Sequence, residues 1–232
     1  MNSRECKVVQ MGLNKRQEDV HEFFLKLLEH FNEEMTVIAE TFSMPNIFNI
    51  HLGSTITCQQ CLRSSDAKEW LMVLSLHFPL GDNEDAADGI SHAIDIISLM
   101  NSYFKVEPLD EHPCLQCNFV GETEKKLDVI NAPQLLVLHL SRFTSGFEKI
   151  DTFVEFLTEL TTEHIRDRNG QQMRYRLSGM IRHTGSSIAS GHYIAYVLID
   201  GHWYEANDSS MRQVSWQTVR RLQVYMLFYE RL

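Results

Sequence analysis

The order of patterns along the chain predicts an α+β fold. A strongly amphipathic helix comes early, strand-like runs rich in β-branched and aromatic residues follow to the C-terminus, and two C-x-x-C pairs stand within the strand-rich part. At 232 residues the chain is sized for one domain, or one domain with a subsidiary lobe. A hydrophobic share of 44% excludes a wholly disordered polypeptide. No apolar run approaches the roughly eighteen residues of a membrane span and no secretory signal opens the chain, so no membrane association is expected. The net charge of −10 argues against nucleic acid and favours neutral or basic partners.

Taken in order, the first dozen residues show no periodicity. Val20, Phe23, Phe24, Leu27, Leu28 and Phe31 then recur at helical spacing and make one apolar face. Asn14 with Gln17, or Asp19 with Glu22, offers a variant of the capping box at its start. Residues 48–58 alternate as a strand and run into Cys58-x-x-Cys61. Residues 71–78 form a second strand candidate, broken at Pro79, and the acidic, small stretch 81–89 reads as a surface loop. Ile90, Ile94 and Ile97 put a helix over 90–104, ended by Pro108. After Cys114-x-x-Cys117 and the charged run 122–126, Pro133 opens an apolar run whose composition predicts a strand buried on both faces. Residues 147–160 mix strand and loop, 167–170 is a turn signal, and 225–229 reads as a closing strand.

The cysteine arithmetic is informative. Four of the five cysteines form two C-x-x-C pairs separated by fifty-two residues, in a chain without an export signal. Two thiolates three apart on a tight turn share one tetrahedral ion, and a second such turn completes a four-sulfur site for structural zinc. Free thiols are the alternative. With every position filled by sulfur, such a site holds no reactive water, so metal-dependent hydrolysis is not expected.

The segment 178–196 reads as two apolar runs bent around a Gly/Ser-rich connection, with His192 directly after it; 202–208 follows a short turn and carries Asn207 and Asp208. A histidine leaving a hairpin loop suits a general base, and a carboxamide or carboxylate on the next strand suits a partner for its Nδ1–H.

These motifs together resemble the ubiquitin-specific proteases, papain-like cysteine hydrolases that cut ubiquitin from its conjugates. The resemblance is carried by H-x-G-S…G-H-Y-x-A-Y at 183–196, W-Y-x-A-N-D at 203–208, Q-x-D-x-H-E-F at 17–23, the paired C-x-x-C, and L-x-V-L-H-L-x-R-F at 135–143. It implies a papain-like fold with a palm, zinc-ribbon-like fingers and a largely truncated thumb: one domain over 1–232, with a residual thumb helix at 14–32, fingers at 47–130 and palm at 131–232. It implies His192 as base and acid, Asn207 as its orienter and Asp208 in support. Asp19 and Glu22, with Gly191 and Tyr193, would line the path of ubiquitin's basic C-terminal tail. Zinc on Cys58, Cys61, Cys114 and Cys117 would hold the tip of the fingers, and the location would be intracellular, cytoplasm or nucleus. Two departures stand out. Ala206 replaces the usual aromatic residue before Asn207, and the family's G-N-T-C nucleophile box is absent. Cys6 is the one unpaired cysteine, lacks that lead-in, and follows Glu5, which works against a thiolate. The expectation is therefore a thiol-dependent deubiquitinase in truncated or inactive form. The alternative is a non-catalytic ubiquitin-binding module of the same fold.

Overall fold

The computed structural model describes residues 19–38, 45–79, 94–144, 148–166, 170–187 and 190–232; Cys6, Asn14, Gln17, the 81–89 stretch and residues 167–169 of the turn signal lie outside them. Helix α1 spans Val20–Ile38, ending beyond the boundary read from sequence. Asp19 caps it, its Oδ1 accepting from the backbone N–H of His21 (2.9 Å) and Glu22 (3.1 Å). Only half of the capping box forms, because Glu22 turns outward to Lys26 at 2.5 Å. The apolar stripe is also used only in part. Val20, Phe24, Leu25 and Leu28 pack with Phe48, Val73, Val137, Tyr225 and Met226, while Phe23 and Phe31 stay 37% and 44% exposed. The helix touches the sheet along a band narrower than the stripe.

After the short helix α2 (Pro45–Phe48), four antiparallel strands form a sheet in the order β2-β1-β6-β5. They are β1 (Ile50–Cys58), β2 (Ser64–Leu71), β5 (Glu107–Pro113) and β6 (Val120–Asn131). Neither β2 nor β5 was visible in the sequence. Almost every side chain of both is exposed, so no apolar alternation marks them. The pairing of β1 with β2, from Ile50↔Leu71 to Thr57↔Ser64, makes them strands.

The larger sheet runs β13-β12-β11-β10-β14-β7-β3, with β9 on a free stretch of β10. Its members are β3 (Leu74–His77), β7 (Leu135–Ser141), β9 (Glu159–Arg166), β10 (Gln172–Ser187), β11 (Ser190–Ile199), β12 (His202–Asn207), β13 (Ser210–Val214) and β14 (Met226–Arg231). Strand β7 is buried along its five central residues, as its composition requires. The strand expected over 71–78 is divided: Leu71 closes β2, and only β3 runs parallel to β7. A two-stranded pair, β4 (Ile94–Asp95) with β8 (Val154–Glu155), lies beside it. The helix expected over 90–104 is α3, Ile96–Tyr103, started by Asp95, whose carboxylate accepts from the N–H and hydroxyl of Ser98 at 2.8 Å each. Helix α4 is a single turn, Trp216–Val219.

One buried cation ties the loops beneath the large sheet together. Arg142, 1% exposed, donates to the carbonyls of Val224 (2.6 Å), Ile150 and Thr152 (2.8 Å each), and its guanidinium lies 5.1 Å from the Phe78 ring. Burial lowers its pKa to about 10, which leaves it charged at neutral pH.

Candidate functional site

The β10–β11 hairpin presents His192. Strand pairing runs to Thr184↔His192 and then shifts before Ser187↔Ser190. Two glycines make the tight closure possible. At Gly185 the backbone adopts φ +138°, and a Cβ would lie 2.5 Å from the Ser190 carbonyl. At Gly191 a Cβ would lie 2.2 Å from His183 Nε2 and 2.4 Å from the Thr184 carbonyl. The hairpin thus folds directly onto the His183 ring. Lys149 holds it from below, donating from Nζ to the carbonyls of His183 (3.1 Å) and Gly185 (3.0 Å).

Strands β11 and β12 pair through Ala195↔Ala206, which sets Asn207 diagonally across from His192. His192 Nε2 lies 2.6 Å from Asn207 Oδ1. The nitrogen that meets Asn207 is therefore Nε2, and not the Nδ1 expected from sequence. With Nε2–H donating to the amide oxygen, the lone pair of the neutral ring sits on Nδ1, which has no hydrogen-bond partner among the described residues. Such a ring can take a proton on the side away from its orienter. Asp208, at φ +50° in the hairpin turn, places Oδ2 3.9 Å from Nε2 and is 81% exposed. At that distance it contributes field and no hydrogen bond.

Asp19 and Glu22 have separate environments. The Asp19 carboxylate takes four donors: the two capping N–H groups on Oδ1, and on Oδ2 the hydroxyls of Tyr193 (3.2 Å) and Tyr225. It therefore fastens α1 to β11 and to the segment leading into β14. Burial first, and the Asp19 carboxylate second, push both tyrosine pKa values upward. Glu22 carries the more open carboxylate, its side chain 55% exposed.

Three histidines near this junction stand inside the quoted motifs, but the motifs assign them no role. The rings of His21 and His139 stack at 4.1 Å and 9°, and His139 Nδ1 lies 3.1 Å from Ser75 Oγ. Burial, then the nearby His21, lower His139 to about 3, so it is neutral at physiological pH. His183 is 2% exposed, and neither ring nitrogen has a partner among the described residues. Burial, then Lys149, lower its pKa too. His183 was part of the H-x-G motif, but Tyr225 lies 206 residues from Asp19, and no local pattern connects them.

The four described cysteines form one cluster, with all ligand atoms within 4.8 Å of one another. Cys58 Sγ is 3.9 Å from Cys117 Sγ, and Cys61 Sγ is 3.7 Å from Cys114 Sγ. A tetrahedral ion with metal–sulfur bonds of about 2.3 Å requires sulfur–sulfur edges of about 3.8 Å, so the cluster fits a zinc site. The two turns repeat one geometry. Leu62 N–H donates to Cys58 O and Asn118 N–H to Cys114 O, both at 2.9 Å, with φ of 58° and 56° just after each second cysteine. Backbone N–H groups of Gln116 and Cys117 aimed at the Cys114 sulfur lower its pKa, favouring a thiolate there, while at Cys117 the N–H of Phe119 is outweighed by burial and the neighbouring sulfurs, which raise its pKa.

Residues 4–229 match the family model for ubiquitin carboxyl-terminal hydrolase. Ubiquitin carboxyl-terminal hydrolase 23 of Arabidopsis thaliana is 31% identical across 94% of this chain and 26% of its own length. The human ubiquitin carboxyl-terminal hydrolase 3 is 27% identical across 92% of this chain and 48% of its own length. Among solved structures, the SAGA Ubp8/Sgf11/Sus1/Sgf73 DUB module bound to monoubiquitin matches with TM-score 0.79 and 26% identity, covering 97% of this chain and 51% of the other. The same module bound to ubiquitin aldehyde gives 0.76 and 25%, covering 95% and 52%. This chain thus spans between a quarter and about half of the length of these proteins. Among the described residues no helix is long and apolar enough to cross a membrane.

Proposed function

Because the chain belongs to the ubiquitin carboxyl-terminal hydrolase family, we propose that its partner is ubiquitin and that its site is built for thiol-dependent hydrolysis of the (iso)peptide bond at the ubiquitin C-terminus. The observation that carries this reading is the 2.6 Å His192–Asn207 bond at the mouth of a glycine-closed hairpin. In the reaction, His192 Nδ1 takes the proton of a thiol, the thiolate attacks the carbonyl, and the imidazolium gives the proton to the leaving amine, which leaves a thioester. His192 then takes a proton from water as it attacks that thioester; the C–S bond breaks, ubiquitin leaves as its carboxylate and the thiol is restored. Asn207 keeps the ring in the tautomer that leaves Nδ1 free, and Asp208 adds negative field to the imidazolium. The tail of ubiquitin, basic in this reading, would pass Glu22, Gly191 and Tyr193. Asp19 acts there through geometry, holding α1 and Tyr193 in place. Zinc on Cys58, Cys61, Cys114 and Cys117 is the proposed ion of the cluster. The proposed division is a residual thumb in α1, fingers in the four-stranded sheet and a palm in the larger one.

The second reading, ubiquitin binding without turnover, is favoured by one observation: each described cysteine belongs to the cluster, so none of them faces His192. A ubiquitin probe with an electrophilic C-terminus, a fluorogenic ubiquitin amide and a ubiquitin titration separate the readings. We expect ubiquitin binding with little turnover. Labelling of Cys6, lost together with turnover in Cys6→Ala, would establish a nucleophile and overturn the non-catalytic reading. Absence of any ubiquitin binding would overturn both.

A further inference from the structure

Asn207 occupies an end position for a residue that must hold a ring in place. It is the last residue of β12, and Asn207↔Ser210 is the closing pair of a hairpin whose turn is Asp208–Ser209. Among the described strands, β13 ends the sheet, so this hairpin is at once a tip and an edge. Such places fray unless something ties them down.

One pleat inward on the same face stands Glu205, 8% exposed. In register it faces Tyr196 of β11 on one side and Arg212 of β13 on the other. Its Oε2 accepts from Tyr196 Oη–H at 2.8 Å and from Arg212 Nη2 at 3.1 Å, and its Oε1 accepts from Arg212 Nε at 2.7 Å. The bonds to Arg212, then that to Tyr196, hold the carboxyl below the usual carboxylate range. Three strands are thereby bound across one carboxylate. The carboxylate end of this ion pair is buried but the Arg212 side chain is 66% exposed, and a pair so open to water adds little stability. Its benefit is fixed register and orientation. Alternation along the strands puts Asn207 two residues from Glu205 and His192 four residues from Tyr196, all on this face. Both ends of the His192–Asn207 bond thus sit on strands that the carboxylate joins.

We propose that Glu205 is a positioning residue for the His192–Asn207 pair, acting through a clamp with Tyr196 and Arg212. The role rests on the reading of His192 as the base, and it is tested without turnover. In the ¹⁵N-labelled chain at about pH 8, above the ordinary imidazole range, long-range ¹H–¹⁵N spectra distinguish Nε2–H from Nδ1–H on His192. The expected result is a dominant Nε2–H form, whose ratio to Nδ1–H falls roughly threefold to tenfold, the worth of one net hydrogen bond, in Tyr196→Phe and Glu205→Gln. Arg212→Lys, which keeps a donor, should hold the ratio better than Arg212→Met. Tyr196→Phe keeps the ring and its packing, so the test survives if Glu205→Gln fails to fold. An unchanged ratio in folded Tyr196→Phe and Arg212→Met, even with a lower Tm, would reduce the clamp to a structural role and overturn the proposal, as would a dominant Nδ1–H form in the parent chain. Loss of ubiquitin binding in the parent chain would bear on the functional reading instead, because the tautomer ratio requires no ubiquitin.

Discussion

The cysteine cluster and the His192 site are built in opposite ways. Each cysteine turn is closed by its own backbone, with the same N–H···O bond and the same left-handed residue after the second cysteine. Only the β1–β6 pairing is needed to bring the two turns together. The His192 site draws on two hairpins, a lysine beneath them, and a helix cap that reaches tyrosines far along the chain. A site made of local turns stands or falls with its ion. A site made of long-range contacts should degrade in steps as each contact is removed.

The largest effect is expected where the first kind of site is broken. Chelation, or Cys58→Ser, should remove most of a structural zinc contribution of about 10–16 kcal/mol. Hydrogen-exchange protection should then be lost across β1, β2, β5 and β6 while β7 and β14 stay protected. Zinc analysis should return one ion per chain. Protein with no zinc and unchanged protection would break the comparison at its root.

At the other site the steps are smaller. Asp19→Ala leaves two tyrosine hydroxyls and two N–H groups without their acceptor, and about 2–4 kcal/mol of stability should go with it. Glu22→Ala, at an exposed i,i+4 pair, should change stability by less than about 0.5 kcal/mol. Ubiquitin binding is expected to weaken in both, with Glu22→Lys also reducing its salt dependence. Equal stability losses in the two variants would remove the distinction drawn between the two carboxylates.

His139 sharpens the contrast through pH. Its folded pKa is about 3 against an ordinary 6.5, so the unfolded chain binds more protons between those values. The stabilisation is complete above about 6.5 and is lost as pH falls toward 3, at up to about 1.4 kcal/mol per unit. Denaturant melts from pH 7 to 5 should show this slope, and His139→Gln should flatten it. An unchanged slope would mean that other groups carry the acid sensitivity.

At the hairpin itself the expected effect is local. In Gly191→Ala the added methyl meets His183 and the Thr184 carbonyl, which should cost about 1–3 kcal/mol and displace the hairpin that presents His192. An unaltered His192 ring spectrum in that variant would show that the tip of the hairpin does not set the ring's position.

The sequence by itself determined the elements whose periodicity or spacing is short-ranged. Helix α1 was legible because its apolar residues recur within two turns, β7 because an unbroken apolar run needs cover on both faces, and the cysteine cluster because three-residue spacing is a property of one turn. His192 and Asn207 were legible as a pair because one hairpin separates them. Only the tertiary structure decided the rest. Strands β2 and β5 carry no apolar alternation and exist through their backbone pairing, so composition could not reveal them. The meeting of Asn207 with Nε2 and not Nδ1 is a matter of how the His192 ring is turned in the folded chain, which no spacing encodes. Asp19's bond to Tyr225 and Glu205's to Arg212 depend on which side chains the folded sheet brings within three ångströms or so, and that is settled by packing after the chain has closed.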